Sequence, residues 1–179
     1  MQLLALDVVR ARLEDLAEQH SALSELFRLP AATHDPEVIA ACSRQIGVSL
    51  PNSFSQIVLK YNFSRFTLGF VAFGHTGDYF SELAEWNGGN WWGAGQRPGH
   101  LVVVGAGDPF AILLDVSTGA ISAIDEDRHW ERALPVASDF ELFLRGMGTM
   151  MFCEDRAKIL GVLTKAVGGD VAFWKHWCN

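Results

Sequence analysis

Three apolar stretches rich in β-branched residues, Leu101 to Val104, Phe110 to Val116 and Ala120 to Ile124, follow one another with connections too short to hold a helix. Parallel neighbours need a crossover of about a dozen residues or more, so short links favour an antiparallel sheet. Ser117-Thr118-Gly119 reads as a tight hairpin. Gly105-Ala106-Gly107-Asp108 carries glycines like a phosphate loop, but it lacks the third glycine, the Lys-Ser/Thr ending and a following helix. Pro109 and another strand come next, so it reads as a β-turn. An earlier stretch, Phe66 to Phe73, alternates so that Phe66, Leu68, Phe70 and Ala72 share a face, which predicts one more strand. The expectation is an α+β fold with an antiparallel sheet of about four to six strands flanked by helices.

Helical signals lie on both sides of that region. Leu6, Val9, Leu13 and Leu16 recur at spacings of three and four, with Glu14, Asp15 and Glu18 mainly opposite. A second short helix is expected to end near Arg28-Leu29-Pro30. Asp35 as a cap, Pro36 in the first turn and Gly47 as a stop bracket a further helix whose stripe is Ile39, Ile46 and Cys42. A fresh helix is expected from Asn52 to Asn62, with Phe54, Ile57, Val58 and Tyr61 inward, and a single turn at Ser81 to Glu85. Ser138 and Glu141 have capping-box spacing before Leu142-Phe143-Leu144. Helices over Phe152 to Val167 and from Asp170 through Trp177 complete the chain.

The 179 residues suit one domain spanning 1–179. No apolar run approaches the roughly 20 residues needed to span a bilayer, and Met1 to Asp7 lacks a basic leader. Cys42, Cys153 and Cys178 are odd in number and form no CxxC pair, which suggests a reducing, cytoplasmic setting without a disulfide frame or structural zinc. The net charge of −7 is concentrated. Between Phe66 and Asp127 the acids are Asp78, Glu82, Glu85, Asp108, Asp115, Asp125, Glu126 and Asp127, and Arg97 is the only Lys or Arg. Such a surface repels nucleic-acid phosphates and attracts cationic partners, although solubility alone would also account for it.

Three segments are candidate sites. Glu85-Trp86-Asn87-Gly88-Gly89-Asn90-Trp91-Trp92-Gly93-Ala94-Gly95 places three tryptophans among glycine and asparagine. It reads either as a recognition loop, through Glu85, Trp86, Trp91 and Trp92, or as indoles folded back onto the sheet. Asp125-Glu126-Asp127 with His129 and Trp130 reads as a solvated turn, a contact for a partner's Arg or Lys, or less readily a metal site. The tail Val171 to Trp177 could cover a partner, dimerise or dock on its own core. The six histidines show no HxH or HExxH spacing, and Cys42 falls on an apolar face, so no nucleophile or cofactor site stands out.

The order and spacing of three stretches resemble the SUKH superfamily, which includes fungal cell-wall assembly regulators and many bacterial immunity proteins. The stretches are Ile46-Gly47-Val48-Ser49-Leu50-Pro51-Asn52-Ser53-Phe54 with Leu59-Lys60-Tyr61-Asn62, Val104-Gly105-Ala106-Gly107-Asp108 leading through Leu114-Asp115 to Thr118-Gly119, and Val136-Ala137-Ser138-Asp139-Phe140-Glu141-Leu142-Phe143-Leu144. The resemblance covers roughly residues 36–144, with helical extensions on either side. Phe63 follows Asn62 where the family usually has glycine, and the Trp- and Gly-rich stretch 87–99 is a further departure.

The resemblance implies a non-enzymatic domain without cofactor or metal. Its partner would be a protein, and the family's immunity role implies a toxin, often a nuclease. Acidic Asp108, Asp125, Glu126 and Asp127, with Glu85 and Trp86, Trp91, Trp92 and Trp130, are then the expected partner-binding residues. The alternatives are an adaptor or regulatory module and, less well supported, a small-ligand binder using the Trp-rich loop.

Overall fold

The computed structural model describes residues 2–20, 24–88, 97–125 and 130–178. Its helices are α1 (Leu6–Gln19), α2 (Ser24–Phe27), α3 (Glu37–Ile46), α4 (Asn52–Lys60), α5 (Tyr79–Gly88), α6 (Phe140–Met151), α7 (Arg156–Val167) and α8 (Val171–Lys175). The strands are β1 (Thr67–Leu68), β2 (Val71–Ala72), β3 (Leu101–Ala106), β4 (Ala111–Asp115), β5 (Ile121–Ile124) and β6 (Leu134–Ala137). They form one antiparallel sheet in chain order, β1 to β6, so the architecture is α+β as the short connections require.

Side-chain caps set several helix starts. The Asp35 carboxylate accepts from the Glu37 N–H at 2.9 Å, and Gly47, with φ 79°, ends α3. The α6 cap lies one residue later than the capping-box spacing suggests. Asp139 accepts from Leu142 N–H at 2.7 Å, whereas the Ser138 backbone N–H donates to the Val167 carbonyl at 2.8 Å. Asp155 accepts from Lys158 N–H, so α7 begins at Arg156 and not at Phe152. Asp170 caps α8 through Ala172 N–H, as its position suggests.

Two strand features differ from the sequence pattern. Phe66 to Phe73 does not form one strand but folds into the β1–β2 hairpin, turning at Gly69 with φ 63°. The turn flips the alternation. Phe66, Leu68, Val71 and Phe73 are buried, while Phe70 and Ala72 are half-buried. Strand β6 carries Pro135, and its place at the sheet edge accommodates a residue without an N–H. Helix α5 also runs well beyond the expected turn.

The core lies on the face of the sheet lined by Val102, Val104, Ile112, Leu114, Ile121 and Ala123, under α1, α4 and α6. The rings of Phe54, Phe63, Phe66, Phe73, Phe140 and Phe143 interlock there, mostly edge to face at centroid separations of 4.8–6.4 Å. Gly148 lets α1 approach α6, because a Cβ there would sit 2.5 Å from the Val9 methyls. The C-terminal segment docks on its own core. Phe173 and Trp174 are fully buried, the Trp174 indole donates to the Val136 carbonyl at 3.1 Å, and the Trp177 ring lies over Gly69.

Candidate partner-binding surface

Strand β3 has an edge that its neighbour leaves open. β2 meets β3 only at Ala72 opposite Ala106, so the backbone from Leu101 to Val104 has no strand on that side. An open edge exposes unpaired N–H and C=O groups that invite another strand. Here side chains take them. Asn87, at the end of α5, accepts from Val103 N–H at 2.8 Å and donates to the Val103 carbonyl at 2.9 Å. The Tyr79 hydroxyl donates to the Val104 carbonyl at 3.0 Å. Arg97 donates to the carbonyls of Leu101 and, across the gap, Ile46, both at 2.7 Å. Burial lowers the Arg97 guanidinium from its ordinary value.

The start of α5 is tied down by a buried carboxylate. Glu82, only 4% exposed, accepts from the N–H groups of His75 and Thr76 and from the Thr76 hydroxyl, at 2.6–2.9 Å. Burial alone would raise its pKa, but these donors and the neighbouring His75 together hold it below the usual carboxylate value. Asp78 caps the helix, accepting from Phe80 N–H at 3.2 Å and from the Ser81 hydroxyl. Beneath α5, burial and the nearby Asp78 push the Cys42 thiol up to about 11, and burial raises the Tyr79 phenol well above its ordinary value. The ionisable groups on the inner side of α5 are thus committed to holding the fold.

The sheet face away from the main core carries a second, small apolar cluster. Leu101, Val103 and Leu113 are at most 6% exposed, and half-buried Trp86, Trp130, Ile124 and Ala133 pack over them. Trp86 reaches this face from α5 and stands edge-on to His75 at 6.3 Å. Trp130 opens a turn of 3₁₀ helix and stands edge-on to His100, also at 6.3 Å. Two indoles therefore roof the same strands from two separate segments, each with part of its surface in solvent.

The residues singled out in sequence divide between the outer face of the sheet, where Trp86 and Trp130 pack, and its β3–β4 turn end. Glu85 is exposed on α5, next to Trp86. Asp125 is half-buried directly after β5, and Ile124 pairs with Ala111, so Asp125 lies at the end of the sheet where β3 turns into β4. Asp108 is exposed in that same turn, before a cis peptide bond to Pro109. Trp91, Trp92, Glu126 and Asp127 lie outside the described residues. Asp115 serves the β4–β5 turn, accepting from the N–H groups of Ser117 and Thr118 and from the Ser117 hydroxyl. Among the described residues no group of three His, Cys, Asp or Glu side chains converges as metal ligands, and no helix is long and apolar enough to cross a membrane.

In sequence Asn87, Arg97 and His100 carry no site role, and the structure places all three at this surface. Asn87 lies in a glycine-rich run and reads locally as a loop former, because nothing nearby in sequence reveals the strand edge it faces. Comparison with protein-family models and with curated proteins returns no match for this chain.

Proposed function

We propose that this chain is a non-enzymatic binding protein of the immunity type, which neutralises a basic toxin domain by direct protein–protein contact at the surface carrying Glu85, Trp86 and Trp130. The observation that carries this reading is the disposition of Arg97. It is the only Lys or Arg between Phe66 and Asp127, and its donors are spent on the carbonyls of Leu101 and Ile46. Its hydrogen bonds go to backbone carbonyls and not to a carboxylate, so the excess of acids over bases in this stretch leaves a negative field that would steer and orient a cationic partner. Partly exposed tryptophans beside that field supply the large, rigid contact area typical of binding hot spots. A nuclease suits the charge, because a surface that receives phosphate is itself basic. The resemblance to the SUKH superfamily points the same way.

The reading predicts that a neighbouring reading frame encodes a protein with a toxic C-terminal domain, and the test is co-expression with each such domain. Rescue of growth, together with a complex that elutes as one species, is the expected result. Unimpaired toxicity with every neighbouring toxin domain would overturn the reading.

A further inference from the structure

Two of the three cysteines border one groove at the start of α7. Cys153 lies in the link between α6 and α7, and Cys178 closes the 3₁₀ turn that follows α8. Both line a groove of about 550 Å³, together with Glu154, Asp155, Arg156, Ala157 and Trp177. Cys153 is half-buried and Cys178 exposed. Arg156 holds the two segments together from between them. Its Nε donates to the Met150 carbonyl at 3.0 Å, and its Nη1 donates to the Trp177 carbonyl at 3.1 Å. One guanidinium thus fixes the backbone three residues before one thiol and immediately before the other.

We propose that Cys153 and Cys178 form a dithiol redox site that closes to an intramolecular disulfide by exchange with a small-molecule disulfide of the glutathione class. The Cys178 thiolate, the more accessible of the two, attacks one sulfur of the small disulfide. Its S–S bond breaks, one thiolate leaves and takes up a proton, and Cys178 is held as a mixed disulfide. The Cys153 thiolate then attacks the Cys178 sulfur, expelling the second small thiolate, which is protonated in turn. Two protein thiols are oxidised and one small disulfide is reduced to two thiols. Cys42 stays outside this chemistry, since the residue is only 2% exposed and its thiol donates to the Phe80 carbonyl.

The turn that carries Cys178 has reason to profit from a covalent tie. The Trp177 ring covers the β1–β2 hairpin, yet its Nε1 is buried without a hydrogen-bond partner among the described residues. Burial of an unsatisfied donor weakens the seat of the turn. A link from Cys178 to Cys153 closes a loop over α7 and α8 and holds Trp177 in place from its own neighbour.

The experiment treats the full-length reduced protein with oxidised glutathione, followed by intact mass and peptide mapping. The expected product has lost about two mass units, carries no retained glutathione and yields a Cys153–Cys178 linked peptide. Its melting temperature is about 5–10 °C above that of the reduced form and returns with dithiothreitol. Cys153→Ser is expected to stop the reaction at a stable glutathione adduct on Cys178. Adducts that persist on both cysteines of the wild-type protein, or a disulfide-linked dimer through Cys178, would overturn the proposal. Both readouts on the wild-type chain stand whether or not the variant folds.

Discussion

The Asn87 side chain pairs with the backbone of Val103 as a neighbouring strand would, its Oδ1 accepting the Val103 N–H and its Nδ2 donating to the Val103 carbonyl. The same Nδ2 also donates to the Leu83 carbonyl one turn back in α5, so the carboxamide is rigidly oriented. Replacing it by leucine keeps the branched heavy-atom skeleton and removes all three bonds, leaving the Val103 N–H and C=O unsatisfied. Asn87→Leu should lower stability by about 2–4 kcal/mol in urea denaturation. The Val103 amide should also lose protection in hydrogen exchange, while amides in β5 keep theirs relative to global unfolding. A loss confined to overall stability, with Val103 still protected, would mean that another group closes the edge.

Glu82 makes stability depend on pH in a defined direction. Its folded pKa lies below its unfolded value, so the native state favours the carboxylate. That contribution is complete above the unfolded value of about 4.3 and is lost as the pH falls through the depressed folded one. Glu82→Gln puts an amide where His75 and Thr76 offer donors, and is expected to cost about 1–3 kcal/mol at neutral pH. The gap between the two proteins should narrow as acid protonates the wild-type side chain. Denaturation curves at pH steps across this window test the sign; a gap that widens in acid would contradict it.

The sheet was legible where local signals sufficed and obscure where distant ones acted. Short connections alone order β3, β4 and β5, and Asp115 and Gly119 mark the turn between the last two. The β1–β2 hairpin was hidden because its alternation is consistent with one strand. What breaks it is Gly69, which must leave room for an indole more than a hundred positions away. Ser138 looked like a cap, but its backbone is claimed by Val167 of α7, which passes the role to Asp139. At the candidate site the charge pattern and Trp86 were visible in sequence. The withdrawal of Arg97 into backbone carbonyls was not, since both acceptors are defined only by the folded chain.

Trp177 and Gly69 form a pair whose energies should not add. A Cβ at Gly69 would lie 1.9 Å from the Trp177 ring and would occupy φ 63°, which non-glycine residues adopt at a cost. Gly69→Ala is therefore expected to destabilise by about 3 kcal/mol, of which roughly 1–2 kcal/mol is backbone strain. In a Trp177→Ala background only the strain remains, so the same change should cost at least about 1 kcal/mol less. A double-mutant cycle read by thermal melting measures the coupling, and additive values would show that the ring moves aside freely.

Charge reversal beside Trp86 and in the β3–β4 turn can locate the centre of the proposed interface. Glu85 is next in sequence to Trp86, whose indole packs on the Val103 cluster, whereas Asp108 lies beyond Ala106 in the turn to β4. The strand rises about 3.3 Å per residue, so Val103 and Ala106 are already about 10 Å apart, near one screening length at ordinary salt. Both side chains are exposed, and reversing either should leave stability within about 0.5 kcal/mol. With a basic toxin domain as partner, Glu85→Lys should slow association about tenfold at low ionic strength, with the difference fading at high salt. Asp108→Lys should slow it less. Stopped-flow association rates at two salt concentrations decide between the two positions: a larger effect at Asp108 moves the docking centre to the β3–β4 turn, and a salt-independent effect at Glu85 would mean that its charge does not steer encounter.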